Sequence, residues 1–300
     1  MAVPANVLFG FVSQISEDEN IILEVVEKNL IVSSSSGKAV INSYNHDDFP
    51  TLPVVPKEKT FHIHAKDLVK GFKSVWYSAS MASMKPELAS VYVFGDDNEI
   101  YFVATDSFRL AEKKIYSKKL KDVGAILIPY KNVIEIVRII DDVSDEIEVN
   151  LTKNQISFSF GGTYITSRVV EGVFPDYKQI IPKEFTTEVI VLKQDVIQAL
   201  KLATIFSDAF HQVSLKVDPA KKLFQISTRN TEVGEHVHNL AAAITGDAIT
   251  IPFNYKYIVD CFQSIEADSV SFQFNGLNRA MVMRGVSDGS FTYLVMPMNK

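Results

Sequence analysis

Several small groups of residues have types and spacing that chemistry could use. His62-Ile63-His64 and His236-Val237-His238 would each set two imidazoles on one face of a strand, the spacing of a metal pair. No cysteine or carboxylate set stands nearby to complete either site, so both read as ordinary strand histidines. Asp141-Asp142 could act as paired acids, but the two end a helix-like run beside an acidic turn and read as solvated charge. Ser33 to Lys38, "SSSSGK", suggests a phosphate loop, yet Val32 and Ala39 occupy the positions where G-x-x-x-x-G-K-[ST] needs Gly and Ser or Thr. It reads instead as a flexible hairpin tip. Cys261, the one cysteine, sits in the apolar run "YIVDCF" and reads as core. No convincing Ser–His–Asp or glycine-rich phosphate pattern is present.

A further group poses a different question. "VATDSFRLAEKKI", Val103 to Ile115, is two strand-like runs around a polar knot, Thr105-Asp106-Ser107-Phe108-Arg109-Leu110. A tight turn needs Asp or Ser, not a Phe followed by Arg and Leu. Either those side chains fold into the core or they wall a binding site.

Basic residues fall in stripes. On the helix beginning near Lys66, Lys66, Lys70 and Lys73 share one face, with Leu68, Val69, Phe72, Val75 and Trp76 opposite. After Pro129 the pattern returns, with Lys131, Arg138 and a diluting Glu135 on one stripe and Val133, Ile134, Val137 and Ile140 on the other. Lys193 and Lys201 lie about two turns apart on a further helix, and Lys256 lies in the last one. A solvated lysine face is common on any one helix. Recurrence at matching positions is less so, and helices lining one surface would form a track able to follow a sugar–phosphate backbone without reading bases.

The elements that position these groups repeat. Pro4, Pro129 and Pro252, spaced 125 and 123 residues apart, each open a helix-like run, an acidic turn and alternating strands. Phe49-Pro50, Phe174-Pro175 and Met296-Pro297 close the copies at nearly the same step, 125 and 122 residues. A second kind of unit, "FHIHAKDLVKGFKSVWYSAS" and "VIVLKQDVIQALKLATIFSD", precedes the second and third copies. A complete domain is therefore two similar strand–helix–strands halves in an α+β arrangement, with domains at 1–56, 57–183 and 184–300. The first carries only its second half, so about one half-domain is expected to be missing before Met1. Composition, 47% hydrophobic and 22% charged over 300 residues, is that of a globular chain, and the absence of a signal sequence or disulfide framework fits a reducing cytoplasm. A net charge of −6 excludes a uniformly basic surface but not a local one.

With these pieces in place the chain resembles the bacterial sliding clamps, the β subunits of DNA polymerase III. "VATDSFRLA" resembles the family's "ATDxHRLA" hairpin, "VVEGVFPDYKQIIP" its "G.FPDY...P" segment and "TYLVMPMNK" its "Y.VMPM" tail. The resemblance implies the DNA-clamp fold: three similar domains per subunit, and two subunits closed head to tail as a homodimeric ring whose inner helices face duplex DNA. It also implies a non-catalytic processivity subunit without cofactor, whose partners are the polymerase III α subunit, the clamp loader and other proteins carrying peptides roughly of the form Gln-Leu-x-Leu-Phe. By the same resemblance the peptide pocket comprises Thr105, Asp106, Ser107, Phe108, Arg109 and Leu110, with Leu88 below, Pro175 and Ile180 from the FPDY segment, and Leu294, Val295, Met296, Pro297 and Met298 from the tail. Phe210, Asn254 and Tyr257 form its second part. Lys66, Lys70, Lys73, Lys131, Arg138, Lys193, Lys201 and Lys256 become the DNA-facing set. Departures from the family pattern are Phe108 for the usual His, Ser107 for Gly, Gln179 for a basic residue, and the Asn299-Lys300 end. An interaction scaffold that never meets DNA and an enzyme with an unrecognised site are the alternatives.

Overall fold

A computed structural model describes residues 1–16, 19–45, 47, 54–82, 84–117 and 123–298, so Phe49-Pro50 and Asn299-Lys300 lie outside the described residues. The chain divides into two compact units, Met1–Val54 and Val55–Lys300.

In the first unit, α1 (Ala5–Val12) precedes an antiparallel meander of β1 (Ile22–Val26), β2 (Asn29–Ser33) and β3 (Lys38–Asn42). Alternation in "NLIVS" turns Leu30 and Val32 inward, where they join Ile41 and pack against Val3, Leu8, Phe11 and Val12. All five residues of β1 are exposed. "SSSSGK" does form the β2–β3 tip, but it is tied down: the Glu19 carboxylate accepts from the Ser35 and Ser36 hydroxyls at 2.7 and 3.0 Å, and these bonds hold Glu19 below its usual pKa.

The second unit contains two complete repeats. The first runs β4 (Lys59–His64), α2 (Ala65–Lys73), β5 (Ser90–Asp96), β6 (Glu99–Thr105), β7 (Arg109–Tyr116), then β8 (Ile126–Pro129), α3 (Tyr130–Ile140), β9 (Glu146–Leu151), β10 (Gln155–Phe160) and β11 (Thr163–Arg168). The other runs β12 (Thr187–Leu192), α4 (Lys193–Ile205), β13 (Gln212–Asp218), β14 (Leu223–Asn230), β15 (Gly234–Leu240) and an added β16 (Ala242–Gly246). Its second half is β17 (Ile249–Asn254), α5 (Tyr255–Cys261), β18 (Ser269–Phe274), β19 (Met281–Gly285) and β20 (Phe291–Val295). The two halves of each repeat exchange their leading strands. β4 pairs with β9 and β8 with β5, as β12 pairs with β18 and β17 with β13. A β7–β20 pair then fuses the repeats into one nine-stranded sheet, β16-β12-β18-β19-β20-β7-β6-β5-β8, flanked by the four-stranded sheets β11-β10-β9-β4 and β15-β14-β13-β17.

Helices α2 and α3 pack on each other, as do α4 and α5; α2 and α4 each touch both sheets of their repeat. Leu68, Val69 and Phe72 are buried as their spacing predicts; Val75, also buried, and Trp76, half-buried against the same core, lie just beyond the end of α2. In α3 the buried set is Val133, Ile136, Val137 and Ile140. Ile134, expected in the core, is only half-buried, because a 3.6-residue period places it at the rim of the stripe that Ile136 completes. Pro4 and Pro129 immediately precede their helices, but Pro252 lies inside β17, and Asn254 caps α5 by accepting from the Lys256 N–H at 3.0 Å. No helix among the described residues is long and apolar enough to cross a membrane.

Candidate functional site

The polar knot resolves into a three-residue bend, Asp106-Ser107-Phe108, between β6 and β7. Asp106 organises it: its Oδ1 accepts from the Phe108 and Arg109 N–H groups, both at 2.9 Å, and its Oδ2 accepts from Arg109 Nε at 3.0 Å. The Thr105 hydroxyl donates to the Arg109 carbonyl at 2.6 Å and accepts from the Ser107 N–H at 3.1 Å. Ser107 has φ of 78°, left-handed backbone that Gly adopts more readily. Phe108 is left 61% exposed, while Arg109 and Leu110, being strand residues, point to opposite faces.

Leu110 points outward, opposite Leu294 of β20, in a buried cluster with Val103, Leu127, Phe174, Tyr177, Ala280 and Val282. The FPDY segment lies over this cluster. Phe174 stacks on Tyr92 at 4.8 Å between centroids, and the Tyr177 hydroxyl donates to the buried Glu112 carboxylate at 2.5 Å. Burial, followed by that bond to a carboxylate, pushes the Tyr177 phenol up. The tail continues β20 past the bend: the Met296 N–H donates to the Phe108 carbonyl at 2.8 Å, and the Met298 N–H to the Pro252 carbonyl at 2.9 Å.

Thus the structure brings together the bend, Leu110, Leu294, Met296 and, through Pro252, the Asn254 end of β17. Pro175, Ile180 and Met296 are exposed, Pro297 and Met298 half-buried. Val295 sits opposite Arg109 and turns into the main core with Tyr293 rather than outward. Leu88 is buried before β5, and its carbonyl accepts from the Ser80 N–H at 2.8 Å. Phe210, 72% exposed, stands on the loop after α4. Gln179 is exposed and donates to Asp176 at 2.7 Å. A cleft of about 700 Å³ lies between the linker (Asp176, Gln179 to Glu184) and the β18–β19 turn (Asn275, Asn278, Arg279, Ala280), closed by Met296. Only Ile180 and Met296 of the sequence-derived pocket line it; the turn residues carry no sequence signal.

Arg109 reaches the other way. Its side chain, 10% exposed, meets Asp260 of α5 through Nη1 and the Tyr77 carbonyl through Nη2 at 2.7 Å, with the guanidinium 4.6 Å from the Tyr257 ring centroid. Burial opposes its charge, but the Asp260 and Asp106 carboxylates outweigh that and hold it protonated. Asp260 carries no signal of this role in the sequence, where "YIVDCF" reads as an apolar run around its cysteine, which is indeed buried.

The basic face is thinner than its stripes suggest. Lys70 pairs with Glu266 at 2.7 Å, pulling that carboxyl below its usual range, and Lys73 pairs with Asp141 at 2.7 Å. Arg138 pairs with Glu135 at 2.5 Å, and Lys193 Nζ donates to the Ile265 carbonyl at 2.6 Å. Lys66, Lys131, Lys201 and Lys256 are exposed and make no ion pair among the described residues. His62 lies 3.8 Å from Glu148, and His236 stacks on Phe206. Among the described residues no group of three or more His, Cys, Asp or Glu is placed to hold a metal ion.

Comparison with known proteins gives the family and the fold. Residues 62–176 match the family model for the DNA polymerase III beta subunit, central domain, and residues 178–299 that for its C-terminal domain. The beta sliding clamp of Synechococcus elongatus is 27% identical over 99% of this chain and 81% of its own length; that of Staphylococcus epidermidis is 25% identical over 89% and 71%. The solved sliding clamp of Bacillus subtilis superposes with a TM-score of 0.93 at 25% identity, covering 99% of this chain and 79% of that one. A Pseudomonas aeruginosa clamp shares the fold at 23% identity, again with a TM-score of 0.93. A clamp-type fold of repeated two-half domains is thereby defined. The chain belongs to the β sliding clamp family, the β subunits of DNA polymerase III, and its function is that of a sliding clamp in DNA replication.

Proposed function

We propose that this clamp tethers polymerase III and other replication proteins through a peptide groove on the outer face of the β7–β20 junction. The observation that carries this reading is the Phe108–Met296 hydrogen bond, which places an exposed ring and an exposed thioether side by side above the buried Leu110–Leu294 pair. Aromatic and Met surfaces repack cheaply around different peptides. Burying two or three apolar peptide side chains at ~1.5–3 kcal/mol each, less the cost of ordering the peptide, corresponds to an affinity around micromolar. A labelled peptide of the Gln-Leu-x-Leu-Phe type, titrated by fluorescence anisotropy, should bind the parent in this range. Deleting residues 296–300 should weaken it at least about tenfold, equivalent to about 1.4 kcal/mol. Equal binding to the deletion would remove the groove assignment.

The same reading makes the protein a non-catalytic accessory subunit that works in the cytoplasm and encircles duplex DNA as a ring. β15 holds in its repeat the place that β7 holds in the other, and β7 takes the last strand of the next repeat, so β15 is suited to take β3 of a second copy. Lys66, Lys131, Lys201 and Lys256 are the cations open to phosphates, with Lys70, Lys73, Arg138 and Lys193 engaged by protein groups. Equilibrium affinity for a short linear duplex, whose open ends leave only the phosphate contacts to hold the protein, should fall steeply with salt. The slope should drop by about 0.9 for each phosphate that Lys66→Glu, Lys131→Glu or Lys201→Glu leaves without its cation.

A further inference from the structure

We propose that Asp260 is a positioning residue of the peptide groove: from α5 it fixes Arg109, and through Arg109 it fixes Asp106 and the Phe108 bend of the other repeat. This rests on the groove reading above.

The relay is continuous. Asp260 accepts from Arg109 Nη1, Arg109 Nε donates to Asp106 Oδ2, and Asp106 Oδ1 receives the N–H groups of Phe108 and Arg109. Each of the three guanidinium nitrogens has its own acceptor, the third being the Tyr77 carbonyl, so the planar fork is held in one orientation. Tyr257 lies one turn before Asp260 on α5, and its ring sits under the same guanidinium. One face of α5 therefore supplies both the platform and the counter-charge. The β7–β20 ladder ends at Arg109–Val295, so beyond it the bend is held by the Asp106 bonds, the Thr105 hydroxyl and the Met296 N–H, of which only Asp106 is tied to the Arg109 side chain. Without Asp260, a side chain 10% exposed keeps one carboxylate partner for its charge. The guanidinium would turn toward water and release Asp106, loosening the wall that carries Phe108.

Asp260→Ala, Asp260→Asn and Asp260→Glu separate the possibilities. Asp260→Ala and Asp260→Asn should each weaken the Gln-Leu-x-Leu-Phe peptide about tenfold, the lower end for losing a hydrogen bond to a charged group. Asp260→Glu should restore affinity to within about twofold, since it returns the carboxylate. Hydrogen exchange at the Phe108 and Met296 amides should accelerate in Asp260→Asn and recover in Asp260→Glu, a local signature that general destabilisation would not confine to the bend. Unchanged exchange at these amides in Asp260→Asn, or parental peptide affinity in both Asp260→Asn and Asp260→Ala, overturns the relay. If the parent itself fails to bind the peptide, the groove reading falls, and exchange at the two amides still decides the relay.

Discussion

Phe108→Ala is the most direct probe of the groove, because the structure separates what this ring does for binding from what it does for folding. Its 61% exposure leaves about six-tenths of the ring for a ligand to cover. With full burial of a Phe worth ~1.5–3 kcal/mol, removing it should cost about 1–2 kcal/mol of peptide affinity, or about five- to thirtyfold. The backbone of the bend, held by Asp106 and the Met296 N–H, is untouched, so the unfolding midpoint should move little. Leu110→Ala is the contrasting control. Leu110 is 3% exposed within the Phe174–Tyr177–Leu294 cluster, so truncation should cost about 2–5 kcal/mol of stability as well as peptide affinity. Both variants would be titrated by anisotropy beside thermal unfolding followed by circular dichroism. Phe108→Ala binding within twofold of the parent, or affinity falling only in step with stability across the pair, would refute the assignment of this ring to the groove.

Ser107→Gly should raise stability by up to about 1 kcal/mol, since Ser107 is held at a left-handed φ that glycine adopts freely; an unchanged urea midpoint would contradict this. Gly71→Ala should destabilise by about 1–3 kcal/mol, because its Cβ would fall 2.4 Å from the buried Phe102 ring, and a parental thermal midpoint would show that the α2–β6 packing yields. Lys113, almost fully buried against Ser290, is pushed below the ordinary lysine pKa by burial, with Asp288 partly opposing. The unfolded chain then binds more protons between the lowered value and 10.5, so parental stability should rise with pH through that window. Lys113→Met cannot titrate, and its stability relative to the parent should therefore decline as pH rises toward 10.5; a constant difference would mean that Lys113 does not lose its proton below that pH in the folded chain.

Much of this protein is legible from local pattern. A period of 122 to 125 residues marks the repeats, a 3.6-residue rhythm marks the buried faces of α2 and α3, and "ATDSFRLA" marks the bend. These signals survive in the sequence because each depends on neighbours within a turn or a strand. Strand pairing does not: a ladder is made by backbone groups that every residue carries, so nothing in "FHIHA" announces that β4 leaves its own half to pair with β9, or that β7 and β20 close a nine-stranded sheet. Charge behaves in the same way. The stripe containing Lys70 and Lys73 is visible, but Glu266, 196 residues from Lys70, and Asp141, 68 residues from Lys73, occupy those cations only once the chain is folded. Arg109 is the clearest case. Its motif points to the groove, yet the carboxylate that holds it is 151 residues away on α5, brought there by the packing of one repeat against the next.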